Sequence, residues 1–308
     1  MSDTRIAIEP ASEPGLEKAV TEGGGTIVGH TEADGLIWIN PRDPQGLKER
    51  LAASPATWVQ LPFAGIESFV AAGVIDPERV WTCAKGIYGP ACAEHALALM
   101  LAAARRIAHH ARARRWEVPG LGSPERRLKG TTVLVVGTGG IGSALIEMLQ
   151  PFEVSIIAMN RSGRHVAGVE RTEPVAALDR AAADADFVVI AAALTDETRG
   201  LVNGGTFAAM KSDAWLVNVA RGGLVDTEAL LEALGSDAIA GAALDVTDPE
   251  PLPEDHPLWS LDNALITPHI ANTWDMAVPE LRALVRRNVE KFRRGEELEG
   301  LVDISLGY

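Results

Sequence analysis

The sequence predicts an α/β fold of parallel sheets covered by helices, and three features predict it. Short apolar runs alternate with helical segments along the chain, the pattern of strands buried on both faces. From Thr131 the alternation sharpens, with TTVLVVG, VSIIAM, DFVVIAA, WLVNVA, IAGAALDV and ALITPH recurring at about the length of one strand–helix unit. Within the first of these runs, VVGTGGIG sets Gly137, Gly139 and Gly142 in the G-x-G-x-x-G pattern, between a strand and the helical run SALIEMLQ.

The elements read in order as follows. RIAI, TIVGH, GLIWIN, WVQL and VWTCA supply the strands of a first, smaller α/β unit. ACAEHALALMLAAARRIAHHARARR reads as one helix enclosed at a junction, with Leu97, Met100, Leu101, Ala104 and Ala108 at helical spacing. Arg105, Arg106, Arg112, Arg114 and Arg115 crowd its end, where cations suit a helix C-terminus. In the second unit Asp226 reads as an N-cap and Gly235 as a helix stop. VPELRALVRRNVEKFRRG is an amphipathic helix that returns to the first unit, so the chain crosses twice: residues 1–90 and 277–308 form one domain, 91–276 the other.

Bulk properties exclude several classes of function. At 308 residues, with 47% hydrophobic and 23% charged residues, the chain can bury two cores. Its net charge of −14 argues against nucleic acid or an anionic membrane as partner, because both recruit positive surfaces. MSDTRIAIEP lacks a leader pattern and the apolar stretches are short, which predicts a cytoplasmic protein. Cys83 and Cys92 build neither a disulfide framework nor a zinc site, so reduced thiols and no metal are expected. Neither G-x-S-x-G nor H-E-x-x-H occurs.

The glycine loop predicts a dinucleotide. Gly137 permits the tight turn, Gly139 a close approach to pyrophosphate and Gly142 close helix–strand packing, while Gly140 and Ile141 open the helix whose N-terminus favours the anion. Beyond it, MNRSGRH ends the next strand in Asn160 where NAD-specific sites carry an acid, and adds Arg161, Ser162, Arg164 and His165. NADP(H) is therefore the preferred cofactor, with NAD(H) possible. Three further strand ends carry chemistry: Arg221 in NVARGG, Asp245 in ALDV with Glu250 five residues on, and His269 in ITPHI. Ligands bind at such ends, and Arg suits a planar carboxylate. A histidine suits proton transfer near cellular pH, and a neighbouring carboxylate favours imidazolium. The remaining histidines, His30, His95, His109, His110, His165 and His256, have no such constellation and read as structural or solvent-facing.

VVGTGGIG, LTDETRGLVN, LVNVARGGLVD, GAALDVTDPEPLPEDHPLW and LITPHI, in this order and spacing, resemble the D-isomer-specific 2-hydroxyacid dehydrogenase family. The resemblance implies a Rossmann domain inserted in a flavodoxin-like substrate domain, a homodimer, and reversible reduction of a 2-keto acid to the D-2-hydroxy acid. It implies that Arg221 binds the substrate carboxylate and carbonyl, that His269 is the acid/base and that Glu250 is its partner. It also implies that backbone amides near Ala64 and Gly65 bind the carboxylate, that Asp245 orients the nicotinamide carboxamide, and that Ala220 lies against the cofactor. EPLPEDHPLW and the terminal GY are most similar to the glyoxylate/hydroxypyruvate reductase branch, with a bulkier keto acid as another substrate. Glu250 stands where formate dehydrogenases have Gln, and a regulatory C-terminal domain is not expected. IANTW, with Asn272 and Trp274, and TCAKGIYG depart from the family pattern. RRWEVPGLG resembles the family's dimer arm, with Trp116 as a hydrophobic anchor. The alternative from another class is a nucleotide-sensing corepressor of the same fold.

Overall fold

The computed structural model describes residues 3–116, 118, 120 and 123–304. It divides into a unit of Met1–Tyr88 with Trp274–Tyr308 and a unit of Gly89–Thr273. These crossings fall a few residues before the expected 90/91 and 276/277 because each coincides with a helix start, at Gly89 and at Trp274. The terminal GY lies outside the described residues, as does part of RRWEVPGLG.

In the first unit, strands β1 (Thr4–Glu9), β2 (Gly25–Ile27), β3 (Gly35–Trp38), β4 (Trp58–Gln60) and β5 (Val80–Thr82) form a parallel sheet in the order β2-β1-β3-β4-β5. That is the flavodoxin-like order. Its helices start where chemistry lets them: Pro14 and Pro44 occupy first turns, and the Glu13 and Asp43 side chains accept from the amides of Leu16 and Gly46. The helix Trp274–Arg294 returns to this unit, setting Leu281, Val285 and Val289 against Ile6, Leu16, Val20 and Trp58. A buried polar chain fixes its depth. Asn288 Nδ2 donates to Gln60 Oε1 at 3.0 Å, Thr82 Oγ1 donates to the same oxygen at 2.9 Å, and Trp58 Nε1 donates to Thr82 Oγ1 at 2.8 Å.

The second unit carries β6 (Thr132–Val136), β7 (Ser155–Asn160), β8 (Arg171–Pro174), β9 (Phe187–Ile190), β10 (Trp215–Asn218), β11 (Gly241–Leu244) and β12 (Ala264–Ile266). They pair in parallel in the order β12-β11-β10-β9-β6-β7-β8, the Rossmann order with one strand added. Both faces are covered: Leu134 and Val136 enter one core, Val133 and Val135 the other. The order reverses between β6 and β9, which opens a crevice beyond the C-terminal end of β6.

Several elements differ from expectation. The long arginine-tailed helix is two, Gly89–Ala104 and Ile107–Arg112, because Arg106 adopts φ +48° and ends the first. Its buried face is Ala93, Ala96, Leu99, Met100, Ala103 and Ala104, with Leu97 partly buried against the same core and Leu101 exposed. Small residues are frequent on this face because the helix starts close on its neighbour: a Cβ at Gly89 would stand 2.4 Å from the Gly140 carbonyl oxygen. Gly235 is the last residue of Thr227–Gly235 rather than the residue beyond it, while Asp226 caps that helix through the Ala229 amide at 3.1 Å. Polar, edge-lying β8 has no apolar pattern to announce it. Among the described residues no helix is long and apolar enough to cross a membrane.

Candidate active site

The cofactor loop follows from backbone chemistry at three glycines. Gly137 has φ +100°, and a Cβ there would lie 2.6 Å from the Ala191 carbonyl oxygen. A Cβ at Gly142 would lie 1.9 Å from the Gly137 carbonyl oxygen, so only glycine lets this helix turn sit on the strand end. At Gly139 a Cβ would meet nothing within 4 Å. The protein leaves that space open. Gly139 is also the N-cap of the helix Gly140–Leu149 and offers no side-chain cap bond, so its first amides remain available to an anion. These features fit a dinucleotide pyrophosphate.

At the end of the adjacent β7, Asn160 folds its own loop. Its Nδ2 donates to the Arg164 carbonyl at 2.8 Å, and its Oδ1 accepts from the Arg164 amide at 3.1 Å and the Ser162 hydroxyl at 3.3 Å. Gly163, at φ +69°, completes the turn. Arg161, Ser162 and Arg164 are left exposed upon it.

The neighbouring strands β10, β11 and β12 deliver Arg221, Asp245 and His269 just beyond their C-terminal ends. Buried Asn218, the last residue of β10, shapes the first of these loops: Oδ1 accepts from the Ala220 amide at 3.1 Å and Nδ2 donates to the Arg221 carbonyl at 2.9 Å. Arg221 Nη1 donates to the Ala220 carbonyl at 2.7 Å. Gly222 then passes so close to Thr247 that a Cβ would stand 2.0 Å from its carbonyl oxygen. His269 has φ +53°, and its amide donates to the carbonyls of Asp245 at 2.8 Å and Thr267 at 3.0 Å. Its Nδ1 lies 2.7 Å from Glu250 Oε1, with both side chains partly exposed.

Asp245 is 2% exposed, and its carboxylate serves its own chain. Oδ1 accepts from the Thr267 hydroxyl at 2.6 Å and the Ile270 amide at 2.9 Å; Oδ2 accepts from the Ala271 amide at 2.9 Å. Burial raises its pKa, but hydrogen bonds from His95, Thr267, Ile270 and Ala271 outweigh it and bring the value down to about 2. The family role implied for Asp245, a contact to the carboxamide, thus falls on a carboxylate that also holds this turn. His95, which the sequence leaves without a constellation, stands 3.0 Å from Thr267 Oγ1 and 3.3 Å from Asp245 Oδ1. His30 pairs with Glu9 at 2.9 Å and His110 with Glu125 at 2.7 Å, also unforeseen. Asn218 and His95 were missed because their partners are set by the fold; a buried Asn ending an apolar strand was the available signal for the first.

Ala64 and Gly65 lie in the first unit, between β4 and the helix Glu67–Ala71. Beside them the Phe63 ring packs 5.9 Å from both Tyr88 and Trp274. Trp274, a departure from the family pattern, thus belongs to an aromatic cluster on that loop.

Comparison with known proteins places the chain among relatives. The family described as "D-isomer specific 2-hydroxyacid dehydrogenase, NAD binding domain" matches residues 97–271. The "Uncharacterized protein in proB 3'region" of Corynebacterium melassecola is 42% identical over 296 residues, covering 94% of this chain and 95% of that one. Glyoxylate reductase of Thermofilum pendens is 39% identical over 230 residues, covering 71% of this chain and 66% of its own length. The crystal structure of a D-isomer specific 2-hydroxyacid dehydrogenase from Xanthobacter autotrophicus Py2, in complex with NADPH and MES, has a TM-score of 0.85 at 28% identity over 100% of both chains. The chain belongs to the D-isomer specific 2-hydroxyacid dehydrogenase family.

Proposed function

We propose that the protein reduces a small 2-keto acid to the D-2-hydroxy acid, using NADPH in preference to NADH, with Arg221, Glu250 and His269 as its catalytic residues. The observation that carries this reading is the 2.7 Å contact between His269 Nδ1 and Glu250 Oε1, beyond the C-terminal ends of the strands, where β10 delivers Arg221. With Nδ1 engaged by a carboxylate, Nε2 is the ring nitrogen that exchanges a proton with substrate. A bound reduced nicotinamide supplies the hydride for the keto carbon. His269 gives its Nε2 proton to the oxygen as that atom gains charge, and takes it back in oxidation. Glu250 supports the charged ring, and the Arg221 fork holds the acid's carboxylate and offsets charge on its carbonyl. Ala64 and Gly65 are assigned to the carboxylate through their amides. The named reductase relative at 39% identity supports a small acid and disfavours the corepressor alternative.

The cofactor preference rests on a strand, β7, that ends in Asn160 without an acid to repel a 2′-phosphate. Asn160 shapes the loop, and the phosphate is assigned to Arg161, Ser162 and Arg164. The NADPH-bound relative supports this choice. The reading also includes a cytoplasmic homodimer. Leu101, Ile107, Trp116 and Val118, all apolar and exposed, support an interface on the second unit.

Loss of NADPH absorbance with glyoxylate, hydroxypyruvate and bulkier 2-keto acids tests the activity. Wild type is expected to turn over at least one of them, and His269→Ala to lose about a hundredfold or more in kcat with its NADPH Kd unchanged. Wild-type turnover in that variant would overturn the acid. Arg161→Ala is expected to lose efficiency with NADPH much more than with NADH. A wild type that prefers NADH removes the phosphate assignment.

A further inference from the structure

One polar cluster beside the proposed catalytic residues has no part in the reaction derived above. It joins His95, on the helix Gly89–Ala104, to Asp245 and Thr267 at the ends of β11 and β12. The Thr267 hydroxyl has one hydrogen, and the 2.6 Å distance to Asp245 Oδ1 is that of an O–H donating to an ionised carboxylate. That hydrogen is therefore used. The 3.0 Å contact between His95 Nε2 and Thr267 Oγ1 then requires the imidazole to be the donor. The same Nε2–H lies 3.3 Å from Asp245 Oδ1, so His95 donates toward both oxygens.

The cluster sits on the segment that presents His269. Asp245 holds the Ile270 and Ala271 amides through its carboxylate and the His269 amide through its carbonyl. Thr267 and Ala271 thus bracket a His269 whose left-handed φ of +53° is unfavourable for a residue with a Cβ. These bonds, with the Thr267 amide donating to the Leu244 carbonyl at 2.9 Å, tie the segment to the end of β11 alone. His95 ties it to a helix that is itself packed tightly against the helix Gly140–Leu149.

We infer that His95 is a positioning residue: by donating Nε2–H to Thr267 and Asp245, it anchors residues 267–271 to the helix Gly89–Ala104 and so sets the His269 imidazole for proton transfer. The inference rests on His269 being the acid, and it distinguishes His95 from a residue that only fills space. A glutamine, whose side-chain amide nitrogen reaches about as far as Nε2, should serve in its place; an alanine should not.

The experiment has kinetic and spectroscopic arms. His95→Ala and Thr267→Val are each expected to lower kcat about tenfold or more, with NADPH Kd and KM for the keto acid little changed, since a shifted acid loses rate rather than binding. The double variant should lose less than the product of the two single losses, because the His95–Thr267 bond is removed in each. His95→Gln should recover most of the rate. Histidine-labelled protein read by long-range proton–nitrogen spectra gives a readout without turnover. His95 is expected as the Nε2-protonated form, and the His269 ring signals should move in His95→Ala and Thr267→Val and return in His95→Gln. Undisturbed His269 signals in both damaging variants would overturn the inference whatever the enzyme's activity. So would additive losses in the double variant, or a glutamine as slow as the alanine. A wild type without keto-acid turnover would instead overturn the proposed reaction and leave the spectra to decide on His95.

Discussion

His269 holds a backbone conformation that costs a residue with a Cβ about 1–2 kcal/mol, and the compensation comes from Asp245. Folding stabilises that carboxylate in its charged form, with a pKa of about 2 against an ordinary 3.8. A folded pKa below the unfolded one means stability that is complete above the unfolded value and is lost as pH falls through the folded value. The Asp245 contribution should therefore be full above about pH 4 and be lost by about pH 2, a change of about 2 kcal/mol. Urea unfolding of wild type and Asp245→Asn over this range checks it: their stability difference should shrink as pH falls, and a difference that stays constant would contradict the assignment. The strand-end placement of Arg221 and His269 was legible because a charge after an apolar strand needs a reason, whereas the pairing of Glu250 with His269 was expected only from the family resemblance. His95 was not. Its partner Thr267 is 172 positions away, and no local pattern encodes that pairing.

At the scale of elements, the glycine loop keeps apart the two roles that the sequence assigns to Gly139 and Gly142. Gly142 is required by the protein's own packing, with a Cβ clash at 1.9 Å, whereas Gly139 faces open space and has φ −75°, a value any residue adopts. Gly142→Ala should lower the melting temperature and weaken NADPH together. Gly139→Ala should weaken NADPH by about tenfold or more while its melting temperature stays near wild type, since the methyl group obstructs only the approaching pyrophosphate. Thermal melts and fluorescence titrations distinguish these outcomes; equal loss of stability in both variants would show that the open space is needed for folding instead. Buried strands such as β6 and β9 were legible from continuous apolar runs. β8 was not, since its Arg171–Pro174 is polar, and the break at Arg106 was hidden because alanine and leucine favour helix on either side of it.

For the whole molecule, the double crossing was legible from one amphipathic helix following the last strand, but its exact positions were set by where helices begin. Each unit has its own apolar core, and the first draws on both ends of the chain. That discontinuity has a consequence for the order of synthesis. A ribosome completes Gly89–Thr273 before it has made Trp274–Arg294, so the second unit can fold while the first still lacks the helix that covers Leu16, Val20 and Trp58. Strands β1 to β5 must wait for a helix made after residue 273. Residues 89–273 produced alone should yield a monodisperse, helical protein that binds NADPH, whereas residues 1–88 alone should bind a hydrophobic dye and aggregate. A nascent chain stalled near residue 273 would then be a finished cofactor domain tethered to an unfinished sheet, the stage at which a chaperone would find the most apolar surface to hold.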